Sequence, residues 1–246
     1  MNIKVVASRL HLLIAVVVLL VFSFHMVPTQ SAYAGGNKKP IIAIDAGHQA
    51  RGNSALEAIG PGAAQRKAKV SSGTAGVATH IPEYQLTLAV AKRLQKQLVA
   101  DGYQVYMIRE THNVNISNRE RAQAAAAAKA DILVRIHANG SENRADNGIL
   151  LITPTAKSPY IANLYPKSRR LANNILTETL KITGANSKGV WETNTMSGVN
   201  WATMPVVIVE MGFMSNPRED KLMQTSQYQE KLAKGIATGI NRYFNN

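Results

Sequence analysis

The sequence predicts an α/β fold, a single domain with a mostly parallel twisted sheet flanked by helices on both faces. Three observations carry this expectation. Short apolar runs such as Ile41-Ile42-Ala43-Ile44 and Pro205-Val206-Val207-Ile208-Val209 read as strands with no solvent face. Stretches of helical periodicity lie between such runs, so the connections are crossovers and the neighbouring strands parallel. Several runs end in chemically competent residues, at Asp45 to His48, His137 and Glu210. Ligand sites of open α/β sheets gather beyond such carboxyl ends.

The N-terminus stands apart. Lys4 and Arg9 precede an almost wholly apolar stretch from Leu10 to Phe24, and Ala32-Tyr33-Ala34 follows with the small-x-small pattern of a signal-peptidase site. This is the layout of a secretory signal peptide over residues 1–34. The apolar run is short against the roughly 20 residues a bilayer-spanning helix requires; an uncut anchor is the alternative. Residues 35–39 read as a flexible mature N-terminus, and residues 40–246 as one domain.

Within that domain the elements follow in order. Residues 41–44 form a buried strand. Residues 49–82, rich in Gly, Ala, Ser and Lys, show little periodicity; a loop of that length is uncommon in a compact domain and often functional. Glu83 opens a helix in which Leu86, Val90, Leu94 and Leu98 recur every four residues, and Asp101-Gly102 stops it. Residues 103–108 alternate like a strand. Ser117 and Glu120 make a capping box for an alanine-rich helix through Ala130. Strands follow at 131–137 and 149–152, then a helical stretch over 160–183 and a region rich in Gly, Asn and Thr. Residues 204–210 are a buried strand ending on a carboxylate. Asn216-Pro217-Arg218-Glu219 starts a helix, and 226–243 form the closing one. No internal repeat or separate wall-binding module is evident.

Composition narrows the chemistry. The 246 residues include no cysteine, so thiolate catalysis and a disulfide framework are excluded, and a metal site must use His, Asp or Glu. The formal charge is +13, and only Lys4 and Arg9 of the basic residues belong to the leader. Polyanions are therefore candidate partners, such as anionic cell-wall polymers. Nucleic acid is not expected, because the basic residues are scattered without interleaved aromatics and the chain reads as exported. A helical HExxH, G-x-S-x-G and a P-loop are all absent.

Outside the leader the histidines are His48, His80, His112 and His137, and two of these lie at strand ends. With Glu210 at a third strand end and Glu83 in a first helical turn, they offer two imidazoles and two carboxylates. Two imidazoles and one carboxylate make a recurrent catalytic zinc shell with one position open. Zinc brings the pKa of water towards about 7, and a further carboxylate can then take a proton and return it to a leaving nitrogen.

At this point the sequence resembles the zinc-dependent N-acetylmuramoyl-L-alanine amidases of the amidase-3 type, over about residues 40–244. The matching pieces are Ile44-Asp45-Ala46-Gly47-His48, then Glu83 with Leu86 and Ala89, then Arg109, Arg119 and Ala122 before Ile136-His137-Ala138-Asn139, and last Val209 to Asn216. The resemblance implies that His48, Glu83 and His137 bind Zn2+ and that Glu210 is the catalytic carboxylate. It implies hydrolysis of the amide joining N-acetylmuramic acid to L-alanine in peptidoglycan, with residues 40–246 as the catalytic domain. It departs from the family after His48, where Gln49-Ala50 replaces the usual Gly-Gly.

Other readings remain open. Glu57 competes with Glu83 as ligand, and His80 lies three residues before Glu83; His112 is given no role. Asp45 orients a ligand from behind or caps the turn. Asn139 binds substrate or pins the loop after His137. Arg109 and Arg135 bind stem-peptide carboxylates or form internal ion pairs. Trp191 and Trp201 touch sugar rings or pack beneath a loop. The 49–82 segment is expected to wall the substrate groove. Competing functions are a zinc carboxypeptidase acting on stem peptides, separable by product analysis, and a wall-binding protein without turnover, separable by a zinc assay. The expected protein is secreted, cell-wall associated and monomeric, with peptidoglycan as substrate and room for an activating protein partner.

Overall fold

The computed structural model describes residues 39–245. The leader expected over 1–34, and residues 35–38 of the expected tail, lie outside the described residues. Six strands form one sheet in the order β4-β1-β5-β8-β6-β7. These are β1 (Ile41–Ala46), β4 (Gln104–Met107), β5 (Ile132–Asn139), β6 (Ile149–Thr153), β7 (Ser187–Glu192) and β8 (Val206–Phe213). Every neighbouring pair is parallel except β6 with β8. The helices are α1 (Glu83–Ala100), α2 (Asn118–Ala127), α3 (Tyr165–Thr183), α4 (Ser197–Asn200), α5 (Pro217–Met223) and α6 (Ser226–Asn245). The α/β class and the mostly parallel sheet with helices on both faces are as the sequence predicts. Among the described residues no helix is long and apolar enough to cross a membrane.

The two-residue period of a strand sorts the sheet into two cores. Ile132, Val134 and Ile136 of β5, with Val207, Val209 and Met211 of β8, join the core beneath α1, α3 and α6. Leu133 of β5, with Val206 and Ile208 of β8, belongs to the opposite core beneath α2 and α4. Arg135, His137 and Glu210 continue that second face. The same strands are thus apolar on one side throughout, and turn from apolar to polar towards their carboxyl ends on the other.

The helix starts follow from local hydrogen bonding. Ser117 Oγ accepts from Glu120 N while Glu120 Oε2 accepts from Ser117 N, so both halves of the capping box form. Asn216 Oδ1 accepts from the Arg218 and Glu219 amides ahead of Pro217. Helix α2 stops at Ala127, short of Ala130, because Lys129 takes a left-handed conformation with φ 55°.

Three strands and the short helix α4 were not expected. Residues 53–58 (β2) and 66–70 (β3) pair antiparallel as a hairpin within the supposed loop. Their residues are mostly exposed, so no apolar alternation marks them. Side chains from elsewhere hold the hairpin down: Trp201 Nε1 donates to Ala58 O at 2.9 Å and Asn200 Nδ2 to Ile59 O at 2.9 Å. Strand β7 lies at the sheet edge within the region read as Gly- and Thr-rich loop, again half-exposed.

Beneath the polar end of the sheet sits a buried charged cluster. Asp45 is fully buried and accepts from Arg121 Nη1 at 2.6 Å and from Arg135 Nε at 2.8 Å. Burial opposes its ionisation, but the two guanidinium groups outweigh burial and hold its carboxyl well below the usual range. Arg121, also fully buried, donates further to Ala46 O, His48 O, Gln49 Oε1 and Ile116 O. Three residues joined by two ion pairs therefore tie β1, β5 and α2 together.

At Gly239 in α6 an added Cβ would collide with the backbone of Ile175 in α3. Gly239→Ala should lower the melting temperature, although the same change in an open helix stabilises by about 1 kcal/mol. Asp45→Asn leaves two buried guanidinium groups without their anion and should cost about 3–5 kcal/mol in urea unfolding at neutral pH. Because the carboxyl is more acidic in the fold than in the unfolded chain, its contribution is complete above about pH 4 and fades as pH falls further. The gap between wild type and Asp45→Asn should accordingly narrow under acid.

Candidate metal centre

Three side chains from separate elements converge at the polar end of the sheet. His48 follows β1, Glu83 opens α1, and His137 lies near the end of β5. His48 Nε2 lies 3.2 Å from Glu83 Oε1, His137 Nδ1 lies 3.3 Å from the same oxygen, and the two ring nitrogens are 3.1 Å apart. Ligand atoms held about 2.0–2.1 Å from a tetrahedral zinc ion stand about 3.3 Å from one another. The triangle in this chain has that size, and the three residues could hold a metal ion.

Each member is oriented from behind. The Ser71 carbonyl lies 3.0 Å from His48 Nδ1, which leaves Nε2 to face the centre. His48 itself has φ 61°, an uncommon conformation for a residue with a side chain, and the Arg121 guanidinium grips its carbonyl at 2.9 Å. Glu83 accepts from Ala138 N through Oε1 and from Thr74 N through Oε2, both at 3.0 Å. The His137 ring lies over Gly47, where an added Cβ would collide with the ring atoms. His137 Nε2 is enclosed and takes no partner among the described residues.

The electrostatics suit a cation. Burial pushes His137 down to about 4, outweighing the hydrogen bond with Glu83, so the imidazole is neutral at neutral pH with a lone pair to offer. Burial opposes ionisation of Glu83, but hydrogen bonds with His137 and His48 outweigh it and hold the group well below the usual carboxylate range. Neutral imidazole and carboxylate are the ligand forms a divalent metal requires.

Glu210 stands beside His137 in register on β8. Its Oε2 is enclosed and has no partner among the described residues. Burial, then the charge of Glu83, push its carboxyl up to about 8. His48, His137 and Glu210 line a common cavity of about 400 Å³, with Lys67 and Ser71 of the hairpin region on one side and Ser197 and Gly198 on another. The segment between the first two candidate ligands lines this cavity, as a hairpin and not as an irregular loop. Lys67 Nζ donates to Thr195 O at 3.0 Å and joins the two walls.

Other candidates fall elsewhere. Arg109 is buried, and its donors go to Ala46 O, Thr111 O, Gly47 O, Tyr84 O and Thr87 Oγ1. It presents no free guanidinium edge, so its expected role in substrate binding gives way to bracing the loop before His48. Asn139 is outside the cavity lining; its Oδ1 accepts from Gly140 N and its carbonyl from Met214 N, which pins the chain after His137. Glu57 accepts from Arg119 N at the start of α2, away from the cluster. His80 is exposed and outside it. Trp201 packs beneath the hairpin with Arg119 over its ring at 4.4 Å, while Trp191 is exposed on β7. Sequence reasoning missed Ser71, Asn118, Arg121 and Gly198. Only Arg121 left a trace there, as a cation on an otherwise alanine-rich helix.

Comparison with known proteins agrees with this geometry. The amidase-3 family, described as N-acetylmuramoyl-L-alanine amidase, matches residues 42–242. The N-acetylmuramoyl-L-alanine amidase AmiC of Neisseria meningitidis is 25% identical over 244 residues, which covers 85% of this chain and 53% of that protein. The amidase LytC of Bacillus subtilis is 28% identical over 164 residues, covering 66% of this chain and 31% of that protein. This chain thus spans about half or less of those two relatives. The crystal structure of an N-acetylmuramoyl-L-alanine amidase from Clostridium difficile 630 superposes with a TM-score of 0.69 at 26% identity, covering 85% of this chain and 98% of that one. With the family match running across nearly all of the described fold, the chain belongs to the amidase-3 family of N-acetylmuramoyl-L-alanine amidases.

Proposed function

We propose that this protein is a zinc-dependent hydrolase that cleaves the amide between N-acetylmuramic acid and the L-alanine of the peptidoglycan stem. The observation that carries this reading is the triangle of His48 Nε2, Glu83 Oε1 and His137 Nδ1, with sides of 3.1–3.3 Å, beside the enclosed carboxyl of Glu210. Family membership supplies the reaction class; the triangle supplies a donor set of the right size for one zinc ion.

In this proposal His48, Glu83 and His137 would hold the ion at the wall of the cavity that the two histidines share with Glu210. When bound, zinc supplies a Lewis acid that polarises the scissile carbonyl, acidifies water and favours the ionised form of nearby Glu210. Glu210 takes a proton from the attacking water and returns it to the departing alanine nitrogen. A carboxyl pushed up from its ordinary range is suited to holding that proton at neutral pH. Ser71 and Arg121 keep His48 in place, and the Thr74 and Ala138 amides keep Glu83 in place, so the centre needs little rearrangement during turnover. The basic surface favours approach to an anionic cell wall. The segment over 1–34 is proposed to direct export to that compartment, with residues 40–246 as the catalytic domain.

Mass analysis of digested peptidoglycan tests the proposal. The expected products are stem peptides with a free alanine N-terminus and intact glycan strands; shortening of the stem from its far end would instead indicate a carboxypeptidase. Chelation should abolish cleavage and added zinc restore it. Glu210→Gln should reduce turnover about 10²–10⁴-fold while zinc content per chain stays unchanged. Undiminished cleavage by that variant would remove Glu210 from the chemistry.

A further inference from the structure

We infer that the Arg135 guanidinium is a carboxylate-binding subsite for the peptide side of the substrate and selects stem peptides by the charge of the residue that follows alanine. This rests on the amidase reading above. Arg135 and His137 project from the same face of β5 and line the same cavity, about 7 Å apart along the strand. Arg135 Nε donates to Asp45 Oδ2 and Nη2 to Asn118 Oδ1, both at 2.8 Å. Among the described residues Nη1 has no hydrogen-bond partner, and it is not enclosed. It rests against Gly198, where any Cβ would collide with it. The cavity floor therefore presents guanidinium hydrogens in an orientation fixed by Asp45 and Asn118.

Charge points the same way. Asp45 is shared by Arg121 and Arg135, so one buried carboxylate faces two guanidinium groups. Lys67 adds a cation to the same cavity. One end of the groove is thus made of imidazoles and carboxylates, and the other carries uncompensated positive charge that an anion would neutralise. The muramic side of the substrate has no anion to offer, since its carboxyl is consumed in the scissile amide and the sugars are uncharged. On the peptide side, the residue after alanine is the first that can carry a carboxylate. Two extended residues span about 7 Å, which matches the separation of Arg135 from His137. Guanidinium recognises carboxylate through strong charge-assisted hydrogen bonds.

The test gives the zinc-loaded protein two muramoyl peptides that differ only at the residue after alanine, one with a free α-carboxylate and one with a carboxamide. Wild type should cleave the carboxylate form with a kcat/KM about tenfold or more higher. Arg135→Gln should bring the ratio close to one, with folding checked by thermal unfolding. Gly198→Ala, which keeps the charge but displaces Nη1, should also shrink the ratio, and it decides the matter with the wild-type ratio if Arg135→Gln does not fold. Equal cleavage of both peptides by wild type overturns this inference alone, as does an undiminished ratio in folded Arg135→Gln or in Gly198→Ala. Cleavage of neither peptide overturns the amidase reading and this inference with it.

Discussion

A single buried carboxylate underlies the arrangement. Asp45 sits at the end of β1 with no access to solvent, and it is stable there as an anion only because Arg121 and Arg135 bond to it from two other elements. Those guanidinium groups are in turn stable because Asp45 and nearby backbone carbonyls accept their hydrogens. Arg121 passes the constraint on to His48, whose carbonyl it holds in a left-handed conformation, and Arg135 passes it on to the cavity floor. The ion pairs are thus less a source of net stability than a means of fixing where β1, β5 and α2 meet.

The sheet supplies the remaining precision. Strand periodicity puts Arg135 and His137 on one face of β5 and Glu210 beside His137 on β8. The opposite face of both strands packs into the main core, which leaves the strands little freedom to shift. Glu83 comes from the rigid first turn of α1 and is tied to Ala138 and Thr74. Side chains distant in the chain are thereby placed by strand register and by a helix start, and His48, His137 and Glu83 then contact one another. Enclosure then keeps His137 neutral and raises Glu210, while Glu83 stays ionised against burial through its hydrogen bonds with His137 and His48.

The main features of this fold were legible because they are written in periodicity. The alternation of buried strands with helices, the capping residues Ser117 and Asn216, and the polar residues at strand ends all have local signatures. His48, Glu83 and His137 stood out because each follows or opens such an element, and the family resemblance joined them into a set. The β2–β3 hairpin was not legible, since its strands are short and mostly exposed and are held by Trp201 and Asn200 from far along the chain. Arg109 read as a candidate ligand for substrate because sequence cannot tell an arginine facing a groove from one whose donors all meet carbonyls. Ser71 acts partly through its backbone, which no residue identity announces.

The central claim is that His48, Glu83 and His137 share one zinc ion. Anomalous diffraction at the zinc edge, on crystals of the chain grown with zinc, tests it most directly. If the three residues share the ion, a single strong peak should stand about 2.0–2.1 Å from His48 Nε2, Glu83 Oε1 and His137 Nδ1 together. A zinc-saturated protein with no peak among those three atoms, or with its peak held by other residues, would contradict it.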